Sequence, residues 1–388
     1  MKSGWGALLI GVLIALTGAC APAYTDRGST VTGGTLRTAL PADVVTLDPA
    51  MFTDIYSGVV SAQIHEPLFT VDFDQRIVPL LAESLEQPDA TTYVIRLRRG
   101  VRFHNGEELT ADDVKLSFAR VIDPATKSPR AWRFTDAIES PDRIEIVDPS
   151  TVKITLKQPF APFLKRLTLP SAFILNRKAV EAAGAEYTRP PIGTGPFRFA
   201  EQRSGEQIVL DRNPEYWGNQ ARVDRLVFHP IPDSATRLAE LESGGLDLVT
   251  NIPAEEIGRL QREAKVEVLT DEAISVLYLG YNTRKAPLSD VELRRAINYA
   301  LNRDEMLSGL WDGVGTVAIS SLNPSSWAFN PSAERYSYDP AEARQHLQSL
   351  ANPPAQPLEL AFTQTPDVSR LAERIQAQLK ENLGLILQ

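Results

Sequence analysis

Four histidines (His65, His104, His229, His346), one cysteine (Cys20) and two acid pairs (Asp112-Asp113, Glu255-Glu256) are the side chains with which this chain could do nucleophilic, metal or acid–base chemistry. None sits in the company that such chemistry needs. The histidines are far apart, and none has a second ligand at the short spacing that completes a metal signature. Cys20 has no partner cysteine, so no disulfide forms within one chain. Gly193-x-Gly195 runs into Pro196 and a strand, not into a helix, which removes the N-terminal cradle of a phosphate loop. Both acid pairs fall where a helix starts and its dipole favours carboxylates, so they read as solvated first-turn residues. With no nucleophile beside a base and no metal cluster, the chain is expected not to be an enzyme and to hold no cofactor and no metal. Forty basic residues against 49 acidic ones give a net charge of −9, with no basic stripe to neutralise phosphates, so nucleic acid is not expected as a partner.

The N-terminus carries a different chemistry. Lys2 supplies a positive start, and Ala7–Leu16 is apolar over the length of a signal-peptide core, too short to span a bilayer. The following run, Leu16 to Cys20 (LTGAC), resembles the lipobox of bacterial lipoproteins, with Thr17 where the commonest lipobox has Leu. That resemblance implies a diacylglycerol-modified Cys20 that becomes the first residue once the 1–19 signal peptide is cut; the alternative is a small hydrophobe closing the apolar run. Residues 20–33 are aperiodic and contain Pro, Ser, Thr and Gly, which suits a flexible tether. An exported protein, periplasmic or at the cell surface and anchored to a membrane by lipid, is the expectation.

At 388 residues the chain is too long for one ordinary domain, and two or three lobes are expected. Alternation predicts strands at Thr35–Leu40, Thr92–Arg98, Phe197–Ala200, Gln207–Arg212 and Val223–His229, with a hairpin of Arg143–Val147 and Thr151–Leu156. Short strands are also expected at Asp247–Thr250 and Leu358–Phe362. Helical spacing predicts helices over Asp54–His65, from Thr110 as N-cap to Val121, over Ser234–Ser243, Asp290–Leu301 and Val368–Leu383. The pattern Leu358–Phe362, helix, Leu385–Leu387 reads as a strand–helix–strand unit. Mixed strands and helices in several segments mean an α/β or α+β protein.

Several runs resemble, in order and spacing, family 5 of the bacterial extracellular solute-binding proteins, the peptide- and nickel-binding components of ABC importers. They are Leu47-Asp48-Pro49, Glu66-Pro67-Leu68, Pro79–Leu85 (PLLAESL), Leu97–Gly106 (LRRGVRFHNG) with Leu109–Val114 (LTADDV), Gly193–Phe197 (GTGPF), Asn213–Trp217 (NPEYW), Arg294–Arg303 (RRAINYALNR) and Tyr338–Ala343 (YDPAEA). Leu85 replaces the usual Trp. His104 lies inside this signature, so a structural place in a turn is read for it in preference to ligation.

The resemblance implies an α/β, type II periplasmic-binding-protein-like fold of two lobes with an extra inserted domain. Domain I would comprise 31–50 and 190–268, domain II would be inserted at 51–189, and domain III would run from 269 to 388. The family runs on for about a further hundred residues, so the third domain is expected to be incomplete. By the same resemblance a peptide, or a nickel complex or other solute, would be held between hinged lobes and delivered to an ABC permease and its ATPase by a monomeric binding protein. Positions matching ligand-contacting stretches are Met51, Phe52 and Asp54 after the LDP step, then Trp132, Asn251, Tyr278, Tyr281, Asn282 and Trp327. Core packing is the alternative for each aromatic. A sensing or chaperone-like lipoprotein of the same fold, or a defective truncated product, are the alternative functions.

Overall fold

The computed structural model describes residues 32–388 except 185–186, 188–189, 264, 271–274, 325, 327 and 363–365. Cys20 and Trp327 therefore lie outside the described residues. The chain divides into a compact unit ending at Pro230 and a second from Ile231 to Gln388. Among the described residues no helix is long and apolar enough to cross a membrane.

The first unit opens with β1 (Thr35–Leu40) and α1 (Ile55–Ile64), followed by a short hairpin of β2 (Phe69–Val71) and β3 (Ile77–Pro79). Next come β4 (Ala82–Asp89), β5 (Thr92–Leu97), α2 (Ala111–Ile122) and the single turn α3 (Trp132–Thr135). The chain continues through β6 (Ile144–Asp148), β7 (Thr151–Thr155), α4 (Phe163–Arg166) and α5 (Arg177–Ala183) to β8 (Phe197–Arg203), β9 (Gln207–Arg212) and β10 (Arg225–Pro230). Two four-stranded sheets result. One has the order β1-β10-β9-β8, with β1 parallel to β10 and the other pairs antiparallel; the second is the antiparallel β4-β5-β7-β6.

Alternation decides which face of each sheet is buried. In β5, Tyr93, Ile95 and Leu97 are buried while Arg96 is exposed. The buried row packs with Val114 and Phe118 of α2 and Phe134 of α3 in the larger core. Each such side chain contributes roughly 1.5–3 kcal/mol relative to exposure. The first sheet buries Leu40, Phe197, Leu210 and Phe228 against Val60 and Ile64 of α1. At the start of α2, Asp113 accepts from the backbone N–H and the hydroxyl of Thr110, each at 2.8 Å. Its other oxygen accepts from the Arg177 backbone N–H at 2.8 Å, so this first-turn acid, expected to be solvated, is a buried tie between α2 and α5.

The second unit is helical: α6 (Ser234–Ser243), α7 (Ala254–Leu260), α8 (Val291–Ala300), α9 (Arg303–Trp311), α10 (Pro340–Gln348) and α11 (Pro366–Leu383). Gly244 ends α6 in the left-handed conformation that favours glycine. Leu293, Ile297, Met306, Ala343, Ile375 and Leu379 are among the residues of one core. Two expected strands are corrected. Asp247–Thr250 is not a strand, because only Leu248 makes a bridge. Leu358–Phe362 has its one bridge at Leu358, parallel to Leu387 across α11, with bonds from Leu358 N to Ile386 O (2.8 Å), Gln388 N to Leu358 O (2.9 Å) and Leu360 N to Gln388 O (2.9 Å). The strand–helix–strand order is as read, yet a single bridge is not a ladder.

The motifs scattered along the first unit meet around one carboxylate. Glu66, 4% exposed, accepts hydrogen bonds from Thr194 Oγ1 at 2.7 Å, Tyr216 OH at 2.6 Å and Trp217 Nε1 at 2.9 Å. Burial pushes its pKa up, and the three donors offset part of that rise. Gly193 and Gly195 lie against the end of α1: a Cβ on Gly193 would stand 2.0 Å from the Ile64 carbonyl oxygen, and one on Gly195 would stand 2.6 Å from that of Gln63. His104 clasps the same turn. Its backbone N–H donates to Gly193 O (2.9 Å), its Nδ1 accepts from Gly193 N (3.3 Å), and Nε2 lies 3.0 Å from Gly195 O. An accepting Nδ1 assigns the proton to Nε2, so the ring is neutral. Burial drives the His104 pKa down to about 4, with Arg198 adding to the shift, and drives that of buried His65 to about 3.

Replacing Gly193 by Ala must move the α1 backbone, and is expected to cost about 3 kcal/mol in urea denaturation with an unchanged m-value. An unshifted midpoint would show that this approach is not tight. The histidines give a pH signature. Both folded pKa values lie below the unfolded value of 6.5, so the unfolded chain takes up protons first. Stability is lost as pH falls from 6.5 towards about 4, on the order of 3 kcal/mol from His104. The melting temperature of His104→Gln should fall less steeply over that window than that of the unaltered protein; equal slopes would remove His104 as the cause.

Candidate functional site

The turn at Leu47-Asp48-Pro49 positions the segment that follows it. Asp48 is buried and paired with both terminal nitrogens of Arg120 at 2.6 and 2.7 Å, while its carbonyl accepts from Met51 N and Phe52 N. A planar guanidinium gripping a carboxylate by two bonds fixes direction as well as distance. Residues 50–53 are then held by their carbonyls. Ser128 Oγ donates to Ala50 O at 2.5 Å, Arg130 Nε to Phe52 O at 3.1 Å, and an Arg130 terminal nitrogen to Thr53 O at 2.6 Å. Asp54 closes the segment as N-cap of α1, its Oδ1 accepting from Ser57 N at 2.7 Å.

Beside this segment opens a cleft of about 420 Å³. Phe52, Ile55 and Val59 line one part of it, and Asp54, Arg133 and Ser171 supply polar atoms. Asp54 Oδ2, Arg133 Nε and Ser171 Oγ are each buried without a hydrogen-bond partner. Buried polar atoms are nearly always satisfied, so three orphans on one cleft are an unusual concentration. They comprise a carboxylate acceptor, a guanidinium donor and a hydroxyl able to do either. Burial lowers the Arg133 pKa, and the charges of Arg130 and Arg166 add to the effect. Neither Arg130 nor Arg133 forms an ion pair with a described residue, and Asp54 is the carboxylate that shares the cleft with them.

Of the residues singled out in the sequence, the structure brings Phe52 and Asp54 to the cleft. Met51 adjoins them in the chain and is exposed. Trp132, 61% exposed, has the Arg133 guanidinium 5.5 Å from its ring centre. In the second unit, Asn251 is exposed with a left-handed φ of 57°, and Tyr278 is 81% exposed. Tyr281 packs partly against the second unit's core, which raises its pKa to about 12, so core packing accounts for much of its placement. Exposed Asn282 turns inward on its own loop, its Oδ1 accepting from Arg284 N at 3.2 Å. Sequence reasoning missed Arg130, Arg133 and Ser171. The first two flank Trp132, and a basic pair around an exposed aromatic was the signal at hand; nothing local marked Ser171. Among the described residues no three His, Cys, Asp or Glu side chains form a metal set.

Comparison with known proteins agrees with this architecture. The family described as "Bacterial extracellular solute-binding proteins, family 5 Middle" matches residues 76–388. Heme-binding protein A of Haemophilus influenzae is 33% identical over 330 residues, covering 78% of this chain and 59% of that protein. The glutathione-binding protein GsiB of Escherichia coli (strain K12) is 30% identical over 350 residues, covering 90% and 66% respectively. The chain thus spans about two thirds or less of the length of these relatives. Among solved structures, the periplasmic binding protein DppA of Helicobacter pylori, in complex with the peptide STSA, superposes with a TM-score of 0.82 at 30% identity, covering 92% of this chain and 74% of that one. The fold is the mixed α/β fold of the type II periplasmic binding proteins. With the family's motifs converging on Glu66 and the match running through 81% of the residues, the chain belongs to the bacterial extracellular solute-binding proteins, family 5.

Proposed function

We propose that this chain is the solute-binding component of an ABC importer and that its ligand is a peptide or a similar small zwitterion. The observation that carries this reading is the set of unpartnered polar atoms on one cleft: Asp54 Oδ2 as an acceptor for an ammonium group, and Arg133 Nε with Ser171 Oγ as donors for a carboxylate. The apolar walls from Phe52, Ile55 and Val59 accept side chains without selecting among them. The relatives named above bind heme, glutathione and a peptide, each a solute bearing carboxylates. Met51 and Trp132 would edge the site, and Asn251, Tyr278, Tyr281, Asn282 and Trp327 would contribute from the later part of the chain. We read the chain as domains of 31–50 with 190–268, 51–189, and 269–388. This is supported by the pairing of β1 with β10 around the second sheet's sequence. A lipid on Cys20 would hold the exported protein at a membrane, near its permease, without enzymatic turnover.

Calorimetry with di- to tetrapeptides tests the cleft. Asp54→Asn retains an N-cap side chain but removes the charge, and is expected to weaken free peptides about tenfold while leaving N-acetylated ones unchanged. Equal affinity of Asp54→Asn for both forms, matching the unaltered protein, would overturn the assignment. The anchor is tested separately: Cys20→Ala should move the exported protein from the membrane to the soluble fraction, and unchanged membrane association would exclude lipid at Cys20.

A further inference from the structure

A second cleft, of about 650 Å³, opens on the outer face of the second sheet and shares no lining residue with the first. Arg96, Arg98, Arg99, Glu83 and Trp217 are among its walls. Strand geometry places Arg96 and Arg98 on the same side, because side chains two apart in β5 and its continuation face alike. Arg96 and Arg99 are exposed and make no ion pair with a described residue. Arg98 is fixed from behind: its Nε donates to Leu80 O at 2.6 Å, and its guanidinium carbon stands 5.5 Å from the Trp217 ring centre. The indole is pinned in turn by its bond to Glu66. The floor of the cleft is therefore rigid, and its terminal guanidinium nitrogens remain available.

Charge sets the chemistry of the occupant. Three guanidinium groups and a single carboxylate, Glu83, line the cleft. Asp148 senses Arg96 electrostatically, but its low pKa comes first from hydrogen bonds with Ser150 and Thr151. A cleft lined by three guanidinium groups and one carboxylate, on a chain of net charge −9, is a local reversal of sign. A planar carboxylate takes one guanidinium fork, whereas a tetrahedral dianion accepts from forks in several planes. We propose that this cleft is a binding site for a phosphoryl-bearing ligand, held by Arg96, Arg98 and Arg99 over the Trp217 floor. The volume exceeds that of one phosphate and falls within the range of small-molecule sites of roughly 300–1,000 Å³, so a ligand with more than one phosphoryl group fits it.

The test uses the full chain with Cys20→Ala, with inorganic pyrophosphate as probe and matched chloride as the ionic-strength control. Saturable binding is expected by calorimetry, weakened about tenfold in Arg96→Ala/Arg99→Ala. Arg98 is left in place because its loss would also disturb Trp217; an unchanged melting temperature for the double variant confirms that its fold is intact. Flotation with phosphatidylglycerol vesicles separates the sources. Binding to vesicles that needs Arg96 and Arg99 assigns a lipid headgroup, and pyrophosphate binding without flotation assigns a soluble ligand. No saturable pyrophosphate heat together with no flotation, or binding indifferent to the double variant, would overturn the proposal.

Discussion

A carboxylate removed from water must be met by donors or it destabilises the fold by several kcal/mol. Glu66 meets that demand with three, and none comes from its own neighbourhood: Thr194, Tyr216 and Trp217 lie 128, 150 and 151 residues further along. The first unit is built so that these meet. The chain leaves the first sheet after β1, builds the second sheet and its helices, and returns through Gly193 and Gly195 to complete the first sheet. The absence of a Cβ at those glycines lets the return segment touch the α1 carbonyls, and His104 clasps it there as a neutral ring.

The same constraint frames the cleft. Asp48 is buried against Arg120, and the segment after it is gripped through its carbonyls by Ser128 and Arg130. Where the Glu66 cluster is satisfied, the cleft leaves Asp54 Oδ2, Arg133 Nε and Ser171 Oγ without partners. A rigid, satisfied frame around unsatisfied atoms is the arrangement expected of a site that completes its hydrogen bonds with a ligand. Trp217 links this frame to the basic cleft, since one edge of its ring bonds Glu66 and its face lies under Arg98.

The second unit follows a different rule, in which buried amides replace the buried acid. Asn382 Nδ2 donates to Ala300 O at 2.9 Å. Gln378 accepts from Asn302 N at 2.8 Å and donates to Glu305 at 2.6 Å. The bonds to Ala300 O and Asn302 N occupy backbone groups freed where α8 ends and α9 begins, and with the bond to the Glu305 side chain they fix α11 across that junction.

Local pattern determined much of this protein. Alternation in Thr35–Leu40 and Thr92–Arg98, helical spacing from Asp54 and from Asp290, and the cap at Thr110 placed elements close to their observed bounds, because each depends on near neighbours in the chain. The ordered motifs pointed to the family for the same reason. Asp247–Thr250 and Leu358–Phe362 misled, since a strand exists only where a partner offers a ladder. What joins Glu66 to Trp217, or Asp54 to Arg133 and Ser171, is decided by the path of the chain between them. Sequence spacing holds no record of a meeting between residues so far apart in the chain, and burial, which makes a donor or an orphaned oxygen matter, exists only once the fold has closed around it.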